Sequence, residues 1–370
     1  MALVKYVVFH PVKALIILLV GALLGLGSFY AYQLSSALAA VAVEDFDPGD
    51  ARSDIEATED PVPGTAPPLH FDYFDEPVFD LDQEMALIEE RLATVAGDEE
   101  FNAAARGEPM PDEVFESYLL VGTDASGYLA DTIILALQPV EGAPILVSLP
   151  RDLYVWNLCK GSFTRLNTGL GGCSEAASGS ELLAIMVEDY TGIPIDHLAR
   201  INFAGFARVV DVMGGIDVCV DRPTRDLKSH LLIESTGCQR VDGETALAWV
   251  RSRHQEQLSD GVWQASGGSD FARQQRQQDA LFQLAARAAG FSSPGSLTNK
   301  LAAVTSSVRV DSSWSFGQAV ATAWRYRGID KSQVRRFSIE VANYRTSYGA
   351  AVLLPTVAFR DQLAGVFDLG

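Results

Sequence analysis

The chain has 370 residues, of which 48% are hydrophobic, and its formal net charge is −20. That length is enough for one large domain or two ordinary ones. The charge imbalance is local, because residues 44–116 hold 23 acidic and 3 basic residues while the rest of the chain is balanced. A nucleic-acid-binding protein should show a net basic face, so we expect no nucleic-acid partner.

An uncharged apolar run near the N-terminus predicts a transmembrane anchor. Residues 14–34 carry no charge, and two lysines lie in residues 1–13, the predicted cytoplasmic tail. The run is long enough to cross a bilayer as a helix, and the positive-inside rule keeps the lysines in the cytoplasm. A cleaved signal peptide ending near residues 37–39 is the alternative. In both cases the rest of the chain is expected outside, and we predict a single-pass protein of the cell membrane.

Residues 35–116 have the composition of an acidic extracytoplasmic linker. They carry the excess of acidic residues, and four prolines lie between positions 61 and 68. Composition of this kind is typical of a solvated tether. Residues 81–96 place apolar side chains at helical spacing, which predicts one amphipathic helix within the linker. The folded domain is predicted to begin near Ser117 and to run to residue 370.

All four cysteines follow the apolar run, at Cys159, Cys173, Cys219 and Cys238. An even number of cysteines in an exported chain is typical of disulfides, and three pairings are possible. We predict the local pairing of Cys159 with Cys173 and of Cys219 with Cys238, which closes two short loops. Buried free thiols are the alternative, whereas a zinc site is disfavoured because no CxxC spacing is present.

Short apolar runs alternate with helical patterns after Ser117, which predicts an α/β layered domain. Strands are expected in SYLLVGTD, TIILALQ, PILVSLPRD and IDVCV. The first three are apolar almost throughout, as in strands buried on both faces. Helices are expected at 178–191, 203–213, 242–251 and 269–290, the last between Ser269 as N-cap and Gly290 as stop.

Asp124 and Asp131 flank a glycine-containing connection between the first two predicted strands. Two carboxylates placed in this way can share a hard cation such as Mg²⁺. An aspartate in a turn is more often ordinary turn chemistry, so this pair alone is a weak signal.

Four arginines stand where a ligand would meet the sheet or the loops next to it. Arg151 follows the predicted strand 145–149, and ligands of α/β sheets gather beyond the carboxyl ends of strands. Arg165 follows in the segment RLN, and a surface ion pair is the alternative role for either arginine. Arg251 and Arg253 are two residues apart, so an extended backbone would put both on one face.

The predicted helix 269–290 carries a polar stripe. Asp270, Arg273 and Gln277 lie at positions i, i+3 and i+7, and therefore on one face. Arginine and glutamine supply planar N–H donors that suit phosphate oxygens. The stripe and the preceding arginines together predict a site for a phosphate-bearing ligand.

These segments also resemble a known family. The ordered set GTD…ADT, SLPRDLYV, RLN, INFAGFARVVDVMGGIDV, DGETALAWVRSR and SDFARQQRQ is similar to the LytR-CpsA-Psr family of cell-wall glycopolymer ligases. The resemblance covers residues 117–290 and follows one N-terminal anchor, as in that family, and the cysteines resemble those of actinobacterial members. It implies a single α/β/α layered domain with a mixed central sheet and a long apolar pocket for a polyprenyl tail.

The resemblance implies a phosphotransferase activity. Members transfer a glycopolymer from a polyprenyl-diphosphate carrier onto peptidoglycan through a phosphodiester bond, release polyprenyl phosphate and use Mg²⁺ as cofactor. The implied partners are the carrier-linked glycopolymer, peptidoglycan and the cell membrane. Teichoic acid, arabinogalactan and capsular polymer are all compatible with the sequence.

The resemblance also implies roles for single residues. Arg151 matches the principal diphosphate-binding and catalytic arginine, and Asp124 and Asp131 match the metal-associated aspartates. Asp131 and Asp270 are the options for a general base. The further diphosphate contacts are implied for Arg165, Arg251, Arg253, Asp270, Arg273 and Gln277.

Two positions depart from the family pattern. Many members carry an arginine where this chain has Leu129, so one diphosphate contact must come from elsewhere, with Arg276 and Arg225 as candidates. The spacer between Arg253 and Asp270 is also long, and it is expected to form a loop over the acceptor site.

Two other functions would use the same site. A non-catalytic lipid-carrier-binding regulator is favoured by Leu129, and a Mg²⁺-dependent pyrophosphatase would use water as acceptor. In all three cases a prenyl chain must be held. The apolar residues of the helices 178–191, 203–213 and 274–289 are therefore expected to line a tunnel.

Overall fold

The structure is a computed structural model, and it describes residues 42–57, 104–111, 114–124, 127–266, 270–288, 308–313, 318, 331–346 and 349–367. The predicted anchor at 14–34 and the predicted amphipathic helix at 81–96 lie outside these ranges, as do Ser269 and Gly290. Within the described ranges, no helix has the length and apolar character of a membrane span.

The secondary structure alternates as the sequence predicts. The strands are β1 (Ala42–Glu44), β2 (Phe115–Thr123), β3 (Ala130–Pro139), β4 (Ile145–Leu149), β5 (Tyr154–Asn157), β6 (Ser162–Arg165), β7 (His197–Asn202), β8 (Ile216–Val220), β9 (Thr224–Asp226), β10 (Leu231–Ile233), β11 (Gly237–Val241), β12 (Glu256–Ser259), β13 (Val262–Ala265), β14 (Val308–Asp311), β15 (Arg335–Ser338), β16 (Val341–Arg345) and β17 (Ala351–Pro355). The helices are α1 (Pro48–Ala57), α2 (Gly179–Thr191), α3 (Phe203–Val212), α4 (Gly243–Arg251), α5 (Asp270–Ala288) and α6 (Phe359–Ala364).

The central sheet is mixed, as predicted. Its strand order is β1-β14-β7-β2-β3-β4-β15. β2 runs parallel to β7 and antiparallel to β3, and β4 is also antiparallel to β3. Hence β2, β4 and β7 point the same way, and their carboxyl ends meet at one edge of the sheet.

Alternate residues of the central strands serve the two faces of the sheet, because side chains alternate along a strand. Leu119 and Val121 of β2 and Ile133 of β3 belong to a large apolar core together with α2. Leu120 and Ile134 line a cavity instead, together with residues of α3, α4 and α5. The sheet therefore lies between two helical layers, which is the predicted α/β/α arrangement.

Helix α2 has strong local signals at both ends. Ser178 and Glu181 form a reciprocal capping box, and Gly192 ends the helix in the left-handed conformation at φ 72°. Its residues Leu182–Val187 are buried in the core on the face of the sheet opposite to the cavity. The prediction that helix 178–191 lines a lipid tunnel is therefore wrong, because α2 fills a packed core.

The predicted linker of residues 35–116 is corrected at residues 42–57, the first part of it that the structure describes. Residues 42–57 form β1 and α1, and β1 pairs in parallel with β14 at the end of the central sheet. Glu44 accepts a hydrogen bond from Ser180 Oγ and pairs with Arg200 at 3.0 Å. The acidic composition predicts a solvated segment and could not predict this strand. The carboxylate of Glu44 is stabilised by partners that are distant in sequence.

The C-terminal part completes the domain. β14 and β15 occupy the sheet beside β7 and β4. Phe359 and Leu363 of α6 are fully buried in the large core. The β16–β17 hairpin lies next to the segment that follows β4, since Leu353 N–H donates to the carbonyl oxygen of Asp152 at 2.9 Å.

Both predicted disulfides are present. Cys159 pairs with Cys173, and Cys219 of β8 pairs with Cys238 of β11, which lies directly opposite on the neighbouring strand. Local pairing is favoured because each bond joins segments that are already adjacent.

We expect non-reducing peptide mapping to find these two bonds in protein isolated from the native envelope. Replacing Cys159 and Cys173 together by serine should lower the free energy of unfolding by about 3 kcal/mol, because the cross-link restricts the unfolded chain. Urea unfolding measures this change. Recovery of four free thiols, or an unchanged midpoint, would contradict the prediction.

A cationic cavity as the candidate active site

A cavity of about 480 Å³ lies between the central sheet and the helices α3, α4 and α5. Its apolar lining comes from both layers and includes Leu120, Ile134, Ala199, Ile201, Phe203, Phe206, Val209, Leu247, Val250, Leu281, Leu284 and Val308. Helices 203–213 and 274–289 were predicted to line a lipid tunnel, and their residues Phe206, Val209 and Leu284 are part of this wall. One cavity thus combines an apolar interior with the charged groups described next.

Four of the five arginines that line the cavity were predicted, and these four come from three different elements. Arg151 follows β4, Arg251 ends α4 with Arg253 just beyond it, and Arg273 lies in the first turns of α5. The register of β2, β3 and β4 puts Arg151 and Asp131 at the same edge of the sheet. The fold therefore gathers four arginines that are separated by up to 122 positions in the chain.

Arg151 is held by two carboxylates. Its Nη1 donates to Asp131 Oδ1, and its Nε lies 3.4 Å from Asp152 Oδ2. Burial lowers the pKa of Arg151, but Asp152 and Asp131 outweigh it, so the pKa lies above its ordinary value. The guanidinium therefore stays charged, and 30% of the side chain remains exposed to meet a ligand.

Arg165 lies one step away from the cavity. Its Nε donates to the carbonyl oxygen of Ala351 at 3.1 Å and lies 3.7 Å from Asp152 Oδ1. Asp152 thus lies between Arg165 and Arg151. Arg165 does not line the cavity itself, so its direct contact with a diphosphate stays a prediction.

The polar stripe of α5 is confirmed for two of its three members. Arg273 is 3% exposed, and its Nη1 donates to the carbonyl oxygen of Asp131 at 2.9 Å. Gln277 is buried, and its Nε2 donates to the carbonyl oxygen of Val250 at 3.3 Å. Asp270 begins the helix, and its side chain lies outside the described part of the structure.

Arg251 and Arg253 both line the cavity, although Arg251 ends the helix α4 and the two residues do not lie in the extended segment that was expected. The Arg251 guanidinium lies over the ring of Phe203, 4.2 Å from its centroid. This cation–π contact holds the charge beside the apolar wall. The Arg253 main chain is fixed by a different residue, Asp226, to which its N–H donates at 2.9 Å.

Asp226 is a buried carboxylate that the sequence analysis missed. Its Oδ2 accepts hydrogen bonds from Ser252 Oγ at 2.7 Å and from the N–H groups of Arg253 and His254. Its Oδ1 accepts from the N–H groups of Lys228 at 2.9 Å and Ser229 at 3.3 Å. Burial raises the pKa of Asp226, but these hydrogen bonds outweigh it and lower the pKa to about 2.

Three further basic residues of the cavity were missed, and one of them is Arg200 of β7, which pairs with Glu44. Lys228 and His254 line the cavity with the arginines, and Lys228 Nζ lies 3.3 Å from His254 Nε2. His254 directly follows Arg253, so its position in the sequence could have predicted that it lies at the same site. Lys228 lies in the connection between β9 and β10, where no sequence pattern points to a ligand.

Neither candidate for the arginine absent at Leu129 lines the cavity. Arg276 donates to the carbonyl oxygens of Trp249 and Ser252, and burial, with Arg273 nearby, lowers its pKa to about 10. Arg225 forms an ion pair with Glu256 at 2.7 Å and lies 4.4 Å from the Trp263 ring centroid. Both arginines have structural partners.

The long spacer between Arg253 and Asp270 folds into a hairpin. Its strands β12 and β13 pair with each other, and β12 pairs with β9, so the hairpin extends a sheet of order β10-β9-β12-β13. The loop over an acceptor site stays a prediction, while the local structure is a strand pair.

The two aspartates predicted to hold a metal differ in position. Asp131 lines the cavity and pairs with Arg151, whereas Asp124 does not line it and accepts a hydrogen bond from Gly127 N–H at 2.9 Å. Among the residues that the structure describes, no three acidic, histidine or cysteine side chains form a metal-binding group. Mg²⁺ often uses one or two carboxylates together with substrate phosphates, and this donor set fits that mode.

Comparison with known proteins gives consistent results. Residues 92–357 match the LytR_cpsA_psr family. The chain is 35% identical over 190 residues to the probable cell wall biosynthesis protein LcpB of Corynebacterium glutamicum. It is 30% identical over 199 residues to the polyisoprenyl-teichoic acid–peptidoglycan teichoic acid transferase TagU of Bacillus cereus. These alignments cover 51% and 53% of this chain, but 41% and 60% of the two relatives.

Solved structures share the fold. The LytR-Csp2A-Psr enzyme from Actinomyces oris superposes with a TM-score of 0.54 at 27% identity, and the alignment covers 71% of this chain and 96% of that one. Bacillus subtilis TagV gives a TM-score of 0.53 at 21% identity, with 69% and 98% covered. The family match spans well over half of the chain and includes the cavity and its arginines, so this protein belongs to the LytR-CpsA-Psr family.

Proposed function

We propose that this protein is a phosphotransferase that moves a glycopolymer from a polyprenyl-diphosphate carrier onto peptidoglycan. The observation that carries the proposal is a cavity in which an apolar wall adjoins five arginines. A prenyl diphosphate is complementary to this cavity, because its chain is apolar and its head group is anionic. The relatives LcpB, a probable cell wall biosynthesis protein, and TagU, a teichoic acid transferase, support a role in cell-wall synthesis.

The chemistry is a displacement at phosphorus. A hydroxyl oxygen of the peptidoglycan sugar attacks the phosphorus that carries the glycopolymer, and the bond from that phosphorus to the bridging oxygen breaks. Polyprenyl phosphate leaves with the bond electrons, and the hydroxyl proton passes to a base, for which Asp131 and Asp270 are the options. Such transfers depend mainly on positioning and on stabilising charge, which is the role of Arg151, Arg251 and Arg273.

Asp131 has a second role in this proposal, because it holds Arg151 in place. Asp131, with Asp124 at the end of the neighbouring strand, would also hold Mg²⁺, which would neutralise part of the diphosphate charge. Chelation should then abolish turnover and added Mg²⁺ should restore it. Turnover that persists with a chelator would remove the metal from the proposal.

The proposal also includes the predicted anchor and an extracytoplasmic domain. If residues 14–34 cross the membrane, β1 begins eight positions after them. The intervening residues 35–41 reach about 25 Å at full extension. The domain would therefore stay close to the membrane surface, where a prenyl carrier resides. Protease added to intact protoplasts should release the domain, and complete protection would contradict this topology.

The activity is tested with a disaccharide linked to a short prenyl diphosphate, in the presence of Mg²⁺. Prenyl phosphate release is measured with and without peptidoglycan, together with label incorporated into the peptidoglycan. We expect incorporation that depends on the acceptor. Equal release without peptidoglycan would indicate the pyrophosphatase, and binding without release would indicate the non-catalytic regulator.

A further inference from the structure

Lys228 and His254 form a basic pair on the cavity. Their side-chain nitrogens lie 3.3 Å apart, and both residues line the cavity together with Arg251 and Arg253. Both side chains are exposed, so neither is needed to fill the core. They come from distant parts of the chain, the β9–β10 connection and the segment after α4.

One buried carboxylate fixes the main chain of both residues. Asp226 accepts a hydrogen bond from Lys228 N–H through Oδ1 and from His254 N–H through Oδ2. Asp226 is 1% exposed, and its lowered pKa shows that the hydrogen bonds favour its charged form. The relative position of the two backbone segments that carry the basic side chains is therefore set by the fold before any ligand arrives.

The charge of Lys228 is not matched by a carboxylate. Among the side chains that the structure describes, no acidic oxygen lies within ion-pair distance of Lys228 Nζ, whose recorded neighbour is the His254 ring. The same holds for Arg251, which contacts the ring of Phe203 instead. Lys228 Nζ has three N–H groups and directs at most one of them to His254 Nε2, so N–H donors remain for an anion bound in the shared cavity.

We infer that Lys228 and His254 form an additional anion subsite that binds a phosphate group of the ligand. This inference rests on the proposed function, since it assigns a head-group contact within the same cavity.

The test is calorimetric binding of two probes, farnesyl diphosphate and farnesol, to the full-length protein. Farnesol shares the apolar chain but lacks the phosphates. In Lys228→Gln and His254→Gln we expect affinity for farnesyl diphosphate to fall about tenfold, the usual effect of losing one charge-assisted hydrogen bond. Affinity for farnesol should stay unchanged. Lys160→Gln, which alters an exposed lysine outside the cavity, is the matched control.

The double variant Lys228→Gln/His254→Gln adds a second criterion. If both side chains bind one phosphate, their effects on affinity are coupled, and the double variant should lose less than the product of the two single losses. Unchanged diphosphate affinity in the single variants, or an equal loss for farnesol, would overturn the inference.

Failure of the inference and failure of the proposed function are separated by Arg151→Ala in the same assay. If Arg151→Ala weakens diphosphate binding while both glutamine variants bind normally, this subsite is wrong and the proposed function stands. If the unsubstituted protein binds neither probe, the subsite and the proposed function fall together.

Discussion

Turnover of a prenyl-diphosphate-linked glycan is expected to fall about 10²- to 10³-fold in the Arg151→Ala variant, the usual effect of losing one donor that stabilises a developing charge. Arg151 lies at the sheet edge where strand ends meet, and its orientation is fixed by Asp131 and Asp152. An arginine held in this way does not have to reorient when the leaving phosphate gains charge. Arg151→Lys should restore activity in part, because lysine keeps the charge but lacks the planar fork that donates to two phosphate oxygens at once.

The Arg151→Ala substitution should change the stability of the fold very little. The Arg151 side chain is 30% exposed and its partners Asp131 and Asp152 are 21% and 32% exposed, so the pairs are partly solvated. Ion pairs of this type contribute about 0–1 kcal/mol. Thermal unfolding and turnover measured on the same preparation therefore separate a catalytic role from a structural one.

Arg336→Ala is the matched control for this experiment. Arg336 pairs with Asp279 at 3.3 Å and its side chain is 35% exposed, close to the value for Arg151. Arg336 does not line the cavity, so its loss should leave turnover unchanged. Normal turnover in Arg151→Ala, or a drop in melting temperature large enough to explain lost activity, would remove Arg151 from the reaction.

The regular elements follow closely from local sequence signals. The apolar runs of β2, β3 and β4 and the caps of α2 are encoded within a few residues, so periodicity and capping predict them. The role of α2 does not follow in this way. Its apolar residues are compatible with either a core or a lipid tunnel, and the choice depends on which face of the sheet it covers.

Residues 42–57 form regular structure that no local sequence pattern predicts. Composition predicts a solvated tether there, yet β1 joins the sheet because β14, more than 260 positions later, offers an open edge. Glu44 is stabilised by Arg200, which lies 156 positions later in the sequence. Contacts of this range leave no trace in a local pattern.

The candidate site divides along similar lines. Arg151, Arg251, Arg253, Arg273 and Gln277 were predicted, and the structure brings all five to one cavity. They could be predicted because strand ends, short spacings and one helix face are local features. Lys228 was missed because its role depends on the tertiary contact with His254, which periodicity does not encode.

Asp226 was missed for a related reason, since an isolated aspartate after a short strand looks like turn chemistry. In the fold it accepts five hydrogen bonds from two segments that carry Lys228, Arg253 and His254. We expect Asp226→Asn to lower the free energy of unfolding by about 3–5 kcal/mol, because the new NH₂ group faces N–H donors and leaves them without an acceptor. Turnover should also fall, since the arginine-bearing segment loses its anchor.

The pH dependence of the lost stability shows whether the charge of Asp226 is its cause. The pKa of Asp226 is about 2 in the folded protein, against an ordinary value of 3.8. Between these values the unfolded chain binds the proton more tightly, so stability that is present above about pH 4 is lost as the pH falls towards 2. Urea unfolding should show a constant difference between the parent protein and Asp226→Asn above pH 4, and a shrinking difference below it.

Asp217→Asn is the control for the Asp226 experiment. The pKa of Asp217 is also lowered, by its hydrogen bond with Arg240, but both side chains are exposed, at 46% and 59%. Solvent screens that pair, so its loss should cost much less than the loss at Asp226. A difference for Asp226→Asn that is as small as this, or one that does not change between pH 4 and 2, would show that Asp226 does not hold the basic segments by its charge.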